Sequence, residues 1–533
     1  MFYLPTQQDI YILKQHKMNL YIIINLLNFP SLKTVGNLQG ELISDTFSID
    51  ADSDIRRTFH LTCFVKDSSF YIDSSSKIWI DKLIEIQIGI KDQRTSEIVY
   101  YKMGSFLFDE VGYQYDATSK TLTLSCVDLM ANFTGLRNGQ VRGLATIINR
   151  GEDIREVMIQ ILTDNAQYNK YRIDERQRIK TLQHDLNFSV GATIYDVLHE
   201  LNEHEAGWEM FFDINNFFVS QKIPSTYGDP YVLDWQTLDD LIISESINTK
   251  FSDIKNSVRV WGRSLDANRT IDEGTITNTG STYEGVLETV VPNSSGKIPQ
   301  GTTIAFVPNI NSGNNPRLKI TDRKGNPQTN NDGTIAYQTY IIDGALVVQD
   351  NEAESGYSPL PAGRLRAGTG YVVRCRYDEN TPYFVLMGQT QVVYVAKLYQ
   401  EDLTAGDKAA DIVDEETNNI LYVINPANPF GIDTIGEIRQ VFEGGEYEKI
   451  YTDELAKERA EYELWRATNL NYELVLRMKP VLWLDVNQKI EYKSKLTGEI
   501  EQYIIKTIDG SSVSGEMTVK AIKFYPEEPF IVS

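Results

Sequence analysis

The chain has 533 residues, of which 41% are hydrophobic, with 30 Tyr and 21 Phe. That composition excludes a disordered polymer, and at roughly 100–200 residues per domain the length allows about three to five folding units. Asp and Glu outnumber Lys and Arg by 74 to 51, for a net charge of -23, which excludes a surface built to grip phosphate backbones. Contact with nucleic acid is expected to be fleeting, whereas an acidic wall around a channel would repel DNA and let it slide.

The most apolar early stretch, Met18 to Leu27, holds two asparagines and falls short of the ~20 apolar residues that span a bilayer, so it reads as a buried strand. The first ~135 residues then alternate apolar and polar side chains with the period of two of half-buried strands. Phe59, Leu61, Cys63 and Val65 share one face, as do Ile84, Ile86, Ile88 and Ile90, and Leu122, Leu124 and Cys126. Turn-forming residues such as Asp73-Ser74-Ser75-Ser76 and Asp116-Ala117-Thr118-Ser119 separate these runs, so a barrel or a sandwich is expected. After Asn138-Gly139 the period changes. Ile154, Val157, Met158, Ile161 and Leu162 fall on one helical face, and a second helix carries Ile194, Val197, Leu198 and Leu201. Thr193 is placed to cap it, Asp196 favours its positive end, and Gly207 stands past its end. Trp208 to Asp213 and Phe217 to Ile223 read as a hairpin around Asn215-Asn216.

Residues 254 to 263 look like a strand entering a new domain, but from about 265 to 395 the composition shifts to Thr, Asn, Ser and Gly with short strands such as Thr303 to Val307 and Tyr371 to Tyr377. That shift marks an insertion. Past 400 comes a loop around Pro426 and Pro429, then a helix from Asp453 to Thr468 that Thr452 can cap, with a stripe of Ala456, Ala460, Leu464 and Ala467. Strands at Leu474 to Met478 and Met517 to Ala521 follow, which reads as a barrel with a helix across it. The expected fold is mainly β and multi-domain with an α+β middle segment. The expected domains are an N-terminal β-barrel (1–138), an α+β domain (139–240), a second barrel with one helix (241–266 plus 398–533), and an inserted, sandwich-like all-β module (267–397).

Constellations that could carry chemistry fail on spacing. His199 and His204 stand five apart in a helix, which turns the second about 140° from the first, whereas the zinc-protease pattern needs four. His16, His60 and His184 stand alone. Gly510 to Gly515 resembles a nucleophile elbow, but Ser514 holds a place that needs glycine, so a hairpin loop is expected. Gly368-Thr369-Gly370 begins a dinucleotide-like pattern that Val373 ends. Asn330-Asn331-Asp332-Gly333 lacks the ligand spacing of a calcium loop and reads as a turn. The widely separated Cys63, Cys126 and Cys375 read as free, reduced core side chains, which suits folding in a reducing cytoplasm. No catalytic, cofactor-binding or metal-ligating residue is nominated, no cofactor is expected, and the chain reads as non-catalytic.

The run Tyr101 to Phe133, ending in the turn Asp128-Leu129-Met130, resembles a segment of the tail-tip and baseplate hub proteins of long-tailed bacteriophages. The unit from Thr193 through Gly207-Trp208-Glu209 to Pro224, the strand Lys255-Asn256 to Trp261-Gly262, and the stretch from Tyr447-Glu448 through Thr452-Asp453 to Leu484-Asp485-Val486 and Ile490 are similar to that family in the same order. The resemblance covers about 400 of the 533 residues and leaves out the insertion. It implies two tail-tube-like barrels per chain and a homotrimeric ring on the tail axis of the virion, synthesised in the host cytoplasm. That ring would join the hexameric tail tube, or a distal tail protein, to a spike or tip protein. It would meet the tape-measure protein and pass DNA through its lumen. Two alternatives are a tail-tip protein with cell-wall hydrolase activity, and one that binds a host-surface glycan through residues 267–397.

Overall fold

The computed structural model is mostly β and multi-domain, with an α+β middle segment. It describes residues 5–526 apart from 39–40, 66–71, 75–76, 118, 138, 143–145, 150, 183–185, 206, 289–297, 322–327, 330–334, 337–339, 352–355, 416, 451 and 471. The chain divides into two compact units, Met1–Asp253 with Asn469–Pro529, and Ile254–Thr468.

Thirteen strands of the first unit form one continuous sheet. They are β1 (Leu20–Asn28), β2 (Lys33–Asn37), β3 (Glu41–Asp50), β4 (Arg57–Phe64), β5 (Lys82–Lys91), β6 (Ile98–Tyr115), β7 (Lys120–Val127), β8 (Tyr231–Leu233), β9 (Ile242–Thr249), β10 (Tyr472–Met478), β11 (Lys489–Lys493), β12 (Ile500–Ser511) and β13 (Glu516–Lys523). The alternation read from the sequence sets their faces. Phe59, Leu61 and Cys63 of β4, the four isoleucines of β5, and Leu474, Leu476 and Met478 of β10 all enter one shared core.

The sheet contains the same strand order twice. The first half runs β3-β4-β7-β6-β5-β1 and the second β9-β10-β13-β12-β11-β8, in matching chain order. Even the irregularities coincide. Ile43 bulges out of β3 between Leu42 and Ser44, and Ile243 out of β9 between Ile242 and Ser244. Asp109 is the extra residue in β6 opposite β7, and Lys506 the extra residue in β12 opposite β13. Bulges bend a strand and re-aim its edge, so one extra residue at the same rung gives both halves the same curl. The strand groups expected as two barrels are thus two equivalent halves of a single sheet, joined where β3 pairs with β12 through Phe47↔Gly510, Ser48↔Asp509, Ile49↔Ile508 and Asp50↔Thr507. The halves differ at their ends, since β1 meets β5 antiparallel while β8 meets β11 parallel, and among the described residues only the first half adds an outer strand, β2.

Between the halves, a small α+β segment uses the capping chemistry expected. Thr193 and Asp196 form a reciprocal capping box at the start of the helix Ile194–Asn202. Trp208–Phe212 and Phe218–Lys222 form the hairpin, whose turn is held by Asp213 Oδ1 accepting from the Asn215 and Phe217 amides, at 2.8 Å each.

The second unit departs from the expected boundaries. Its four-stranded sheet has the order 420–424, 391–399, 257–264, 439–442. The helix Asp453–Thr468, expected across the second barrel, packs Ala460 and Leu464 against Val258, Val260, Ala396 and Leu398 of this sheet. Residues 391–397, expected inside the insertion, pair with 257–264 and bury Val392, Val395 and Ala396. Burial of both faces decides this: an alternating strand goes to whichever sheet leaves neither side bare, and sequence period alone does not name the sheet. The inserted module keeps its own core, built around Tyr283, Phe306, Val373, Cys375 and Phe384. Its nine-stranded sheet curls back on itself, for its first strand, Arg269–Thr270, is followed by Ile271, which bridges Leu287 at the far end. The module leaves and re-enters at one place, with the Leu265 amide 2.8 Å from the Thr390 carbonyl.

On the face of the four-stranded sheet away from Leu464, Lys397 is almost fully buried. Its Nζ lies 2.7 Å from Asp411 and 2.9 Å from Glu415, both on the helix Ala405–Glu415, and 3.4 Å from Glu437. Burial alone would raise the Glu437 carboxyl, but hydrogen bonds from Arg439 and Ser257 and the charge of Lys397 outweigh it and hold the group below its ordinary value. A carboxyl depressed in the folded state adds stability that is complete above its unfolded pKa, ~4.3, and is lost as pH falls through the folded value. Glu437→Gln is therefore expected to lower the thermal midpoint at neutral pH and to flatten the loss of stability on acidification, checked by melting curves between pH 3 and 7.

Candidate functional site

Three of the sequence segments singled out above meet at one point in the first unit. Arg56 and Arg57, at the start of β4, are both nearly fully buried. Arg56 pairs with Glu209 of the Trp208–Phe212 strand and lies 3.7 Å over the Phe211 ring. Arg57 pairs with Asp485, its guanidinium also donates to the Phe212 carbonyl, and its amide donates to Asp128 Oδ2 at 2.9 Å. Asn487 donates to Glu209 Oε2 at 2.6 Å and Gln221 to Glu209 Oε1 at 2.8 Å. Asp128, Glu209 and Asp485 thus converge on one arginine pair, although 81 residues separate the first two and 276 the last two. Burial pushes the Asp128 carboxyl up, against the amides of Met130 and Arg57 and both guanidinium charges, which act to lower it. Removing one member of a buried pair leaves an uncompensated charge, which costs about 3–5 kcal/mol.

The seam between the sheet halves is the second constructed feature. Asp45, buried in β3, accepts from the amides of Ser512 and Val513 at 2.8 and 3.0 Å and from the Ser511 hydroxyl at 3.3 Å. The serine-rich loop that resembled a nucleophile elbow is a turn joining β12 to β13, fastened to the other half by this carboxylate. Gly510 is required there, because a Cβ would sit 2.3 Å from the Phe47 ring. On the opposite face, Thr58, Ser48, Asp509, Thr518 and Arg477 form one polar row across five strands. Ser48 donates to Asp509 at 2.7 Å, and Arg477 is paired with Glu516. With Thr46 and His60 these residues line a shallow groove of about 420 Å³. Next to it Thr62 and Thr123 continue the face in hydroxyls, 3.3 Å apart. Short hydroxyls dominate this face, and the Arg477 charge on it is already paired with Glu516.

The other candidates fall apart in space. His199 stacks on Tyr195, while His204 Nδ1 lies 3.1 Å from the Glu200 carbonyl. Gly368 has φ +77 in a turn, and Val373 enters the module core. Among the described residues, no group of three or more His, Cys, Asp or Glu side chains is placed to hold a metal. His184 and Asn330 to Gly333 lie outside the described residues. Cys63, Cys126 and Cys375 are free and buried.

Residues 427–527 match the model of a domain of unknown function (DUF5048), which spans the end of the second unit and the return into the first. No curated protein matches the chain in sequence. Among solved structures, the chain is similar to a tail protein from Neisseria meningitidis MC58, at 9% identity and TM-score 0.44 over 94% of this chain and 96% of that one. It is similar to the 43 kDa tail protein of prophage MuSo2 from Shewanella oneidensis, at 10% identity and TM-score 0.44 over 94% and 98%. It is also similar to the prophage tail protein gp18 from Listeria monocytogenes EGD-e, at 8% identity and TM-score 0.43, with 95% of each chain covered.

The seam can be tested through its one tight contact. Gly510→Ala is expected to destabilise the first unit by ~1–3 kcal/mol through overpacking against Phe47. Combined with Phe47→Ala it should cost less than the sum of the two changes, measured by urea unfolding followed by tryptophan fluorescence.

Proposed function

We propose that this chain is the non-catalytic structural hub of a phage tail tip or baseplate. Three copies form a ring on the tail axis that joins the hexameric tail tube to the spike or tip and surrounds the channel through which DNA leaves. The observation that carries this reading is the duplicated strand order within one sheet. A chain that presents two equivalent halves offers two equivalent positions around an axis, so three chains match a six-fold tube while keeping three-fold symmetry below. The resemblance of four sequence segments to the hub family supports it, and so does the convergence of Asp128, Glu209 and Asp485 from three of those segments on one buried arginine pair. In this reading the hydroxyl-rich face around Ser48 and Thr518 lines the channel. The tube or distal tail protein, the tape-measure protein and the spike or tip protein are the neighbours in the virion.

Electron-microscope class averages of the purified chain, alone and with its tube and tip partners, are expected to show three copies around an axis. A chain that stays monomeric under both conditions contradicts the proposal. The rival reading, a cell-wall hydrolase, is separated by a zymogram: the hub reading expects no clearing of purified cell wall by this chain.

A second reading concerns the inserted module alone. It has its own core, and the single entry point at Leu265 and Thr390 leaves the four-stranded sheet complete without it. In this reading the module serves as an appendage that binds a host-surface glycan. Replacing residues 266–389 by a two-residue Asn-Gly turn is expected to leave tail assembly intact and to abolish adsorption to cells. Unchanged adsorption would remove this role.

A further inference from the structure

The seam inside the chain has an unused twin. Each half contains one edge strand and one long bulged strand, and at the seam the edge strand of the first half (β3) lies against the part of the second half's long strand that extends beyond its hairpin partner (β12, from Thr507). Of the remaining pair, β9 and the outer part of β6, each has one edge with no strand beside it among the described residues. β9 pairs only with β10 among the described residues. Among the described residues the segment Glu110–Tyr115 pairs only with β7, because the pairing of β5 with β6 ends at Leu83↔Leu107.

The shared bulges fix the correspondence residue by residue. Phe47 and Ile247 stand at the same rung, opposite Phe59 and Leu474. Thr507 and Glu110 both follow the extra residue of the long strand, so Gly510 corresponds to Tyr113. We propose that β9 of one copy pairs antiparallel with Glu110–Tyr113 of a second copy in the register of the internal seam. Ile247 then lies opposite Tyr113, Asn248 opposite Gly112, Thr249 opposite Val111 and Lys250 opposite Glu110. This pairing rests on the ring reading above and names the surfaces that build the ring.

The exposed side chains fit that register. Phe47 is 6% exposed because the other half covers it, whereas Ile247 is 39% and Tyr113 49% exposed on the corresponding, core-side face. At the internal seam a large ring sits over glycine; at its twin, the aromatic ring stands on the long strand and the smaller isoleucine on the edge strand. Lys250 and Glu110, both exposed, bring opposite charges to the last rung. Apolar and opposite-charge pairs directly across strands are the stabilising ones, and like charges there destabilise. An unpaired edge that shows isoleucine and tyrosine is also one that invites another strand. Because the two edges differ, the contact is head-to-tail, and it closes into a ring if the curl of each half repeats between copies.

The test is an oxidative cross-link in the full chain carrying Asn248→Cys and Gly112→Cys, with the three native cysteines buried. Position 112 has room for a side chain, its nearest neighbour being Thr123 Cβ at 3.9 Å. The double variant is expected to give a closed covalent trimer on a non-reducing gel, while each single variant gives none. Independently, Lys250→Glu is expected to raise the concentration needed for half-assembly by roughly ten-fold, with restoration by Glu110→Lys. A trimer seen by native mass spectrometry without this cross-link, or without the charge rescue, would overturn the edge pairing and leave the ring standing. A chain that is monomeric throughout would overturn both.

Discussion

The buried arginine pair at residues 56 and 57 is the constraint on which the first unit depends. Two guanidinium groups removed from water cost far more than any single contact returns, so they persist only if every nearby lone pair is aimed at them. The chain meets that demand with Glu209 and the Phe212 carbonyl from the middle segment and Asp485 from the second half, while Asp128 from the first half accepts from the Arg57 amide. Each of those segments is thereby held in one place. The junction fastens these segments together, its carboxylates committed to arginine, backbone amide, asparagine and glutamine donors.

Around that junction the two halves share a single hydrophobic core and a single sheet. The seam obeys simple steric rules. A glycine admits a phenylalanine ring, and a buried aspartate ties down a turn from the other half. The polar face across the seam is different in kind, with serine and threonine in a row across five strands and Arg477 paired with Glu516.

The second unit interrupts the second half between β9 and β10 and is organised by other contacts. Asn256, fully buried, accepts from the Ile438 amide and donates to the Phe430 and Gly436 carbonyls, so one side chain sets the path of the loop around Pro426 and Pro429. The inserted module leaves and re-enters at Leu265 and Thr390, and its Arg366 also pairs with Asp453 and Glu454 at the start of the helix Asp453–Thr468.

The sequence by itself determined the helices Ile194–Asn202 and Asp453–Thr468 with the caps at Thr193 and Thr452, and the alternation that makes one face of each strand apolar. Those properties depend on neighbours within a few residues, and spacing alone reveals them. Tertiary structure decided which sheet each strand joined. The helix Asp453–Thr468 and the strand 391–399 went to the four-stranded sheet because that sheet has two faces to cover, a fact about surfaces that no local period encodes. It also decided that the two expected barrels are equivalent halves of one sheet. The equivalence lies in hydrogen-bond register and in the position of one bulged residue per strand, while the side chains at matching rungs differ, phenylalanine against isoleucine and glycine against tyrosine. The arginine pair was visible only as two adjacent basic residues, since its partners are brought to it by chain folding across more than four hundred positions.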